Sequence, residues 1–254
     1  MQDSARSSAL GRSLAVLEAI LEHPQPVGLP DLAARLDLPR QTVHRLLAQL
    51  ERAGLAVRDP SRERYSVGPR LSQLAFGTLR SLNQAAPIRS ILKSLVHDIG
   101  ETCNIGVLDG TDYVYLQRIE CDWPLRMHME IGSRMGAHTV SGGKVLLAHL
   151  DTKLRQRLLR SQKLKASTSH TLIRVADLEA ELAEIRSRGF ALNNQERMEG
   201  IVGAAVPVMD HKGNVLAAIG VQGPLPRLTL RTCEGHVPRM RAAAERVARV
   251  WGAS

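Results

Sequence analysis

The chain has 254 residues, of which 44% are hydrophobic and 23% charged, and this balance excludes a disordered chain. Its 34 basic side chains outnumber the 25 acidic ones, which gives a formal net charge of +9. No apolar run approaches the ~18 residues that a membrane span requires, and the N-terminus lacks the features of a signal peptide. Three widely spaced cysteines exclude a disulfide framework. We therefore expect a cytoplasmic protein with no membrane partner.

The first 55 residues predict three helices. Apolar side chains recur at helical spacing in residues 8–22, and His23-Pro24 ends this run. A second, short helix begins near Pro30, after a loop over residues 25–28. Pro39 begins the third helix. Its apolar face has the spacing i, i+3, i+4 and i+7 and consists of Val43, Leu46, Leu47 and Leu50.

Donor side chains occupy the outer side of the third helix and the segment after it. Two β-prone runs, residues 55–58 and 64–67, flank a connection with Asp59 and Pro60, which predicts a hairpin. Three helices followed by a hairpin are the order of a winged helix-turn-helix, whose third helix enters the major groove of DNA. Donors in these places reach phosphates and base edges. The candidate DNA-contacting residues are Arg40, Gln41, Thr42, His44 and Arg45 on the helix and Arg58, Arg62 and Arg64 on the hairpin.

The positive charge of the first domain is concentrated in the same place. Residues 1–39 hold three basic and five acidic side chains, whereas residues 40–70 hold seven arginines and three acidic side chains. A local excess of arginine is the expected footprint of contact with the DNA backbone. Periodicity alone leaves another possibility open, in which the third helix is an ordinary bundle helix with a solvated face. The order of the elements favours DNA binding.

The remainder of the chain predicts a linker helix and an α+β domain. A helix over residues 70–83 can be a simple spacer between domains, but its apolar stripe needs burial somewhere. Helices, a hairpin at Asp109-Gly110 and antiparallel strands follow, which is the α+β pattern. In the last helix, Pro238 is expected in the first turn. The predicted strands are 102–108, 113–119, 125–131, 190–195, 201–209 and 215–222, and the predicted helices are 88–99, 141–149, 152–160, 175–188 and 238–251.

Motifs in both halves resemble the IclR family of bacterial transcription regulators. They include Thr42-Val43-His44-Arg45-Leu46-Leu47, Gly136-Ala137-His138-Thr139-Val140-Ser141-Gly142-Gly143-Lys144 and Glu196-Arg197-Met198-Glu199-Gly200. The resemblance implies a winged helix-turn-helix domain over residues 1–69, a linker helix over 70–83 that helps to pair subunits, and a GAF-like effector-binding domain over 84–254. The implied partners are a double-stranded DNA operator, a small-molecule effector and further copies of the chain in a homodimer or tetramer. We expect no cofactor.

The resemblance also implies a pocket for an organic or aromatic acid on one side of the C-terminal sheet. Backbone N–H groups near Ser141 suit a carboxylate, and apolar side chains supply the walls. Glycine at 203 and 220, where relatives often have small polar residues, predicts an enlarged pocket for a bulky carboxylate; the alternative is that both glycines serve tight strand packing. At position 193 this chain has Asn, where relatives commonly have an acidic residue. The implied pocket residues are Met127, Met135, Ser141, Gly142, Asn193, Ile201, Gly203, Gly220 and Gln222.

Together these features predict a transcription regulator whose operator affinity changes with an effector, with repression favoured over activation. The alternative is a stand-alone metabolite-binding or enzymatic GAF-like domain whose N-terminal helices bind a partner. A metal site and a Ser141–His138 hydrolase both lack the spacing of known motifs. We therefore expect neither a metal centre nor enzyme activity. The residues weighed for metal binding are Cys103, Cys121, His128, His138 and Cys233.

Overall fold

The computed structural model describes residues 8–23, 25–59, 63–84, 86–127, 129–161 and 163–252. The chain divides into two compact units, residues 1–79 and 80–254. Arg62 and His128 lie outside the described residues, as do the side chains of Leu79 and Leu82. In the part that is described, no helix is both long and apolar enough to span a membrane.

The described part of the first unit contains three helices packed on a small antiparallel sheet with the strand order β1-β3-β2. The helices are α1 (Ala9–Leu21), α2 (Leu29–Leu36) and α3 (Arg40–Arg52), and the strands are β1 (Val27–Gly28), β2 (Ala56–Asp59) and β3 (Arg64–Val67). The predicted helices and hairpin are therefore confirmed. The loop predicted over residues 25–28 is wrong in part, because Val27 and Gly28 pair with Tyr65 and Arg64 as a third strand.

Short-range signals position these helices. The Ser8 hydroxyl accepts a hydrogen bond from the backbone N–H of Gly11 at 2.9 Å and so caps the start of α1. Asp37, between α2 and α3, has a left-handed backbone with φ of 52°, which turns the chain sharply. Gly54 has φ of +71° just after α3, a conformation that glycine adopts without strain. The buried sides of the three helices then meet in one core, which includes Val16, Leu32 and Leu47.

Helix α4 (Pro69–Gln84) belongs to both units, since the division falls between residues 79 and 80. The segment predicted as a linker, residues 70–83, is thus helical. The predicted domain limits of 1–69 and 84–254 remain a prediction.

The second unit is α+β, as predicted. Its described residues form a six-stranded antiparallel sheet with the order β6-β5-β4-β9-β8-β7. The strands are β4 (Thr102–Asp109), β5 (Asp112–Ile119), β6 (Arg134–Gly136), β7 (Ala191–Asn194), β8 (Ile201–Met209) and β9 (Val215–Pro224). The helices are α5 (Ala86–Ile99), α6 (Ser141–His149), α7 (Thr152–Arg160), α8 (Val175–Arg188) and α9 (Leu230–Val250), with a 3-10 helix (Ala137–Thr139) before α6. Helices α5 and α9 pack on the sheet, and α6 contacts the central strands and α8.

The strand predicted at residues 125–131 is wrong. The described residues of that segment are irregular, and β6 pairs with β5 instead. Beyond β6, the next positions on the edge of β5 are also filled, because Gly132 donates to the carbonyl oxygen of Tyr115 at 2.8 Å and Tyr115 donates to Ser133 at 3.2 Å. Leu125 is 66% exposed, so the alternation of apolar residues here does not mark a buried face.

Helix α9 begins eight residues earlier than predicted. Thr229 and Thr232 form a reciprocal capping box, in which each hydroxyl accepts from the other residue's backbone N–H. Pro238 therefore lies inside the helix rather than in its first turn. Proline removes one backbone hydrogen bond, and the burial of Val237 and Met240 on either side offsets that loss.

Candidate functional sites

Helix α3 presents a row of donor side chains to solvent. Arg40, Gln41, His44 and Arg45 are exposed, and Thr42 is half-buried. Within the described residues, none of these five side chains has a hydrogen-bond or ion-pair partner. The opposite side of the helix is anchored in the core by Val43, Leu46, Leu47 and Leu50. The five polar side chains are thus held on a rigid element and are free to contact phosphates and base edges.

The wing, defined as β2, β3 and their connection, differs from α3 in that its described arginines Arg58 and Arg64 have partners. Arg58 forms an ion pair with Glu63 at 2.7 Å, and both side chains are exposed. Arg64 donates to the carbonyl oxygen of Pro26 at 3.0 Å and so ties the wing to the start of β1. An exposed ion pair contributes only ~0–1 kcal/mol, so Arg58 is readily released to a phosphate. Arg62, the third predicted arginine, lies outside the described residues.

In the second unit, strand pairing places three predicted effector residues in one row. Asn193 pairs with Gly203, and Gly203 pairs with Gln222, so the three lie on the same face of β7, β8 and β9. A cavity of about 30 Å3 lies beside this row. It is lined by Met127, Val140, Ser141, Asn193, Arg197, Met198, Ile201, Val202, Gly203 and Gln222.

Of the nine predicted effector residues, six line this cavity. The other three lie around Tyr113. Met135 pairs with Tyr113 in the sheet. A side chain at position 142 would meet the Tyr113 ring at 2.6 Å. A side chain at position 220 would meet Asn104, whose oxygen accepts from the Tyr113 hydroxyl at 3.0 Å. Met135, Gly142 and Gly220 thus lie around Tyr113 and do not line the cavity.

The two glycines do not enlarge the pocket. A Cβ atom at position 203 would lie 2.4 Å from the carbonyl oxygen of Val221, so the neighbouring strand leaves no room for one. At position 220 the space is occupied by Asn104, 3.2 Å from the ideal Cβ. The present cavity of about 30 Å3 holds roughly one water, whereas small-ligand pockets measure ~300–1,000 Å3. The distances at both glycines therefore favour the alternative, in which they serve tight strand packing, over an enlarged pocket.

The start of α6 supplies backbone donors beside the cavity. Val140 at the N-cap makes no side-chain capping bond, and Ser141, Gly142 and Gly143 are all buried. Glycine is required at 143, because a Cβ atom there would lie 2.2 Å from the carbonyl oxygen of Ala137. A helix start carries partial positive charge and exposed N–H groups, which together favour a carboxylate.

A buried polar network, which the sequence did not reveal, lies beneath Asn193. Lys144 is 1% exposed, and its Nζ atom lies 2.6 Å from Glu196 and 3.4 Å from Glu181. Asn193 Nδ2 donates to Glu196 at 2.9 Å and to the carbonyl oxygen of Thr139 at 2.7 Å. Burial raises the pKa of Glu196, an effect that the nearby Lys144 opposes. Both N–H groups of Asn193 are therefore committed to the protein, and its oxygen remains as an acceptor for a ligand.

Arg197 and Met198 also line the cavity and were missed as site residues. Arg197 is exposed and donates to the Ser167 hydroxyl at 3.1 Å. Both follow β7 in the motif Glu196-Arg197-Met198-Glu199-Gly200, which carries part of the family resemblance. The place of this motif shortly after Asn193 is the signal that could have identified them.

The three cysteines are buried and free. Burial raises the pKa of the Cys103 thiol, and burial with Glu234 nearby raises that of Cys233 to about 12. Both thiols are protonated at neutral pH and are thus poor nucleophiles. Among the described residues, no three His, Cys, Asp or Glu side chains are placed to hold a metal ion.

Comparison with known proteins places both units in one family. Residues 9–60 match the family model for the IclR helix-turn-helix domain, and residues 76–249 match that for the bacterial transcriptional regulator IclR C-terminal domain. The chain is 42% identical over 245 residues to the Probable transcriptional regulator SauR of Cupriavidus necator, covering 96% of this chain and 97% of that protein. It is 31% identical to the Transcriptional repressor IclR of Escherichia coli, covering 87% and 81%.

A solved structure shows the same likeness. It is that of an IclR homolog from Microbacterium hydrocarbonoxydans complexed with 4-hydroxybenzoate, which is 25% identical and matches with a TM-score of 0.61 over 97% of this chain and all of that one. The comparisons for both halves of the chain agree with the structure, in which α3 presents donor side chains to solvent and the second unit is α+β. The chain belongs to the IclR family of transcription regulators, which bind DNA and are not enzymes.

Proposed function

We propose that α3 and the wing bind a double-stranded operator and that a small organic acid, bound at the cavity beside Gln222, changes operator affinity. The unpaired donor side chains of α3 are the observation that supports this most strongly. Arg40, Gln41, Thr42, His44 and Arg45 lie on the face of α3 that a winged helix-turn-helix places in the major groove. Of these, Arg45 is the proposed base contact. Arg58, Arg62 and Arg64 are proposed to contact the backbone from the wing.

A homodimer, or a tetramer built from dimers, completes this proposal. Two copies read the two half-sites of a pseudo-palindrome, separated by about one helical turn or a multiple of it. Leu74 of α4 is 53% exposed, and it is the proposed dimer contact in the linker region. We place the complete regulator in the cytoplasm, where its operator is accessible.

The effector is proposed to be a small organic acid, with aromatic acids as the first class to test. Three features support an acid: the backbone donors at Ser141, the guanidinium of Arg197, and the apolar walls formed by Met127 and Ile201. The relative that was solved with 4-hydroxybenzoate supports an aromatic acid. Repression is the proposed output, since a relative that is 31% identical is named a repressor.

The proposed mechanism is a thermodynamic coupling between two sites. If the acid favours one conformation of the chain and DNA favours another, then each ligand changes the affinity of the other by the same factor. Such factors are typically ~5–150-fold. Opening the cavity is the conformational change that the acid must supply, because its present volume is too small for a ligand.

A gel-shift titration against the DNA upstream of the chain's own gene tests the DNA-binding proposal. Operator binding through 6–10 phosphates should weaken ~10³–10⁵-fold between 50 and 200 mM salt, with preference over scrambled DNA of the same length. Binding that shows neither preference nor salt dependence would overturn the proposal. A thermal-shift screen of organic acids on the full chain tests the effector, and the absence of any shift from acids would overturn that part alone.

A further inference from the structure

A bulge in β5 brings an arginine to the cavity side of the sheet. Tyr113 pairs with Leu108, and Tyr115 pairs with Gly106, but the register shifts at the next position, so that Asn104 pairs with Arg118. Leu108, Gly106 and Asn104 alternate along β4 and thus share one face. Because of the shift, Arg118 rather than Gln117 follows the two tyrosines on that face.

Arg118 is buried, and its ion pair with Glu120 is long. The residue is 7% exposed, and its Nε atom makes no hydrogen bond within the described structure. The nearest carboxylate, Glu120, lies 3.7 Å from that Nε atom and is bound more closely by Arg126, at 2.7 Å. Burial lowers the pKa of Arg118. A buried guanidinium is normally paired and hydrogen-bonded, so this one retains capacity for an anion.

Two partners of Arg118, Met127 and Gln222, line the cavity. Its Nη2 atom donates to the carbonyl oxygen of Met127, and its guanidinium lies 5.7 Å from the centre of the Tyr115 ring. The Gln222 amide lies between Arg118 and Tyr115. The amide orientation that satisfies both neighbours directs its oxygen to both terminal nitrogens of Arg118, at 3.2 Å from Nη2, and its nitrogen to the Tyr115 hydroxyl at 3.3 Å. A neutral amide oxygen thus occupies the place of an anion.

We propose that Arg118 receives the carboxylate of the effector and that the Gln222 amide holds this position until the effector displaces it. The inference rests on the proposed effector function and names the residue that recognises the acid. It also explains how a cavity of about 30 Å3 admits a ligand. Rotation of Gln222 removes a side chain from the wall and exposes a guanidinium behind it, so the cavity opens toward its own recognition group.

A double-mutant cycle on the full chain tests whether Arg118 accepts a carboxylate at this position, without any knowledge of the ligand. Gln222→Glu places a carboxylate beside Arg118 and should raise the Tm by roughly 2–6 °C. In an Arg118→Gln background, the same substitution should lower the Tm, because the half-buried carboxylate then lacks Arg118 as its cation. A decrease of equal size in both backgrounds would overturn the proposal. If Arg118→Gln does not fold, Arg118→Lys supplies the background, in which the gain should shrink.

Ligand binding provides the second measurement. The probes are 4-hydroxybenzoate and succinate, each compared with its amide by calorimetry on the full chain. Wild type should prefer the acid, Arg118→Lys should bind it ~10–100-fold more weakly, and Gln222→Glu should not bind it. Arg231→Gln, which changes an exposed arginine of α9 away from the cavity lining, is the control and should bind as wild type does.

The two measurements distinguish failure of the proposal for Arg118 from failure of the proposed effector function. If wild type binds neither acid but the Tm cycle shows coupling, then the choice of acid in the proposed function is wrong and Arg118 remains an anion-receiving group. If wild type binds an acid and the Arg118 variants bind it equally well, then the proposal for Arg118 is wrong and the effector function stands.

Discussion

Arginine is found in opposite settings in the two units. Arg45 on α3 is exposed and has no partner among the described residues, whereas Arg118 on β5 is buried against Tyr115 and Gln222. An exposed cation contacts a polyanion without any rearrangement, and its contribution falls with salt. A buried cation is barely screened, but it needs an internal acceptor in the absence of ligand. The comparison teaches that the proposed DNA surface needs no rearrangement to bind, whereas the proposed effector site must open.

The largest effect is expected from removing a buried charge partner. Lys144→Met leaves Glu196 buried without its nearest cation, so the second unit should lose about 3–5 kcal/mol of unfolding free energy. Chemical denaturation measures this loss, and Lys153→Met, at an exposed position, is the control. If the two variants have the same unfolding free energy, then the buried Lys144–Glu196 pair does not have the expected effect on stability.

The loss in Lys144→Met should also depend on pH. Without Lys144 the pKa of Glu196 rises further above its unfolded value, because the strongest interaction that opposes burial is then lost. An acid with a raised folded pKa destabilises the fold while ionised, and this destabilisation disappears as pH falls through that pKa. The Tm difference from wild type should therefore shrink between pH 7.5 and pH 5. A constant difference would show that Glu196 is not the group left unpaired.

The close strand packing in the effector row predicts the next effect. Gly203→Ala should destabilise the chain by about 1–3 kcal/mol, since the new Cβ atom meets the Val221 carbonyl oxygen. Gly235→Ala is the matched control, because Gly235 lies in α9 with open space around its Cβ position. There alanine should stabilise the helix by about 0.5–1 kcal/mol. Thermal melts of both variants measure these effects. An unchanged Tm in Gly203→Ala would contradict close packing at this position and favour an enlarged pocket.

On the DNA side, Arg45→Ala should reduce the preference for operator over unrelated DNA by about 1–3 kcal/mol, or roughly 5–150-fold. Arg231→Ala removes one exposed arginine from the second unit and should leave that preference unchanged. Competition gel shifts at a fixed salt concentration measure the preference. If Arg45→Ala weakens specific and non-specific binding equally, then Arg45 contacts phosphate rather than a base.

The smallest effect concerns assembly. Leu74→Ala removes a half-exposed leucine from α4 of each subunit, and burial of the two copies in a dimer would together contribute about 1 kcal/mol, so the dissociation constant of the dimer should rise roughly 5-fold. Sedimentation velocity measures this change, with Gln73→Ala as the control on the same helix. An unchanged dissociation constant would move the dimer contact away from α4.

The fold was largely predictable from the sequence because its signals are local. The apolar spacing in α3 and the turn at Asp109-Gly110 each depend on a few neighbouring residues, and both are confirmed. The two-residue strand β1 and the irregular segment at 125–131 depend on pairing with distant residues, so periodicity could not identify them. The capping residues Thr229 and Thr232 are a local signal for the start of α9, whereas Pro238 alone suggests a later start.

The effector site was less predictable, for a physical reason. The row of Asn193, Gly203 and Gln222 followed from the family resemblance, and strand register brings the three together. Arg118 could not be found in this way, because strict alternation from Tyr113 and Tyr115 leads to Gln117. A single bulge reverses that alternation, and nothing in the sequence marks its position.

Reciprocal titration tests the central claim most directly. Operator affinity is measured with and without a saturating concentration of the acid that gives the largest thermal shift, and acid affinity is measured with and without operator DNA. The account predicts that both affinities change by the same factor, in the range of ~5–150-fold. Operator affinity that stays constant at saturating acid would show that the two sites are independent and would contradict an effector-responsive regulator.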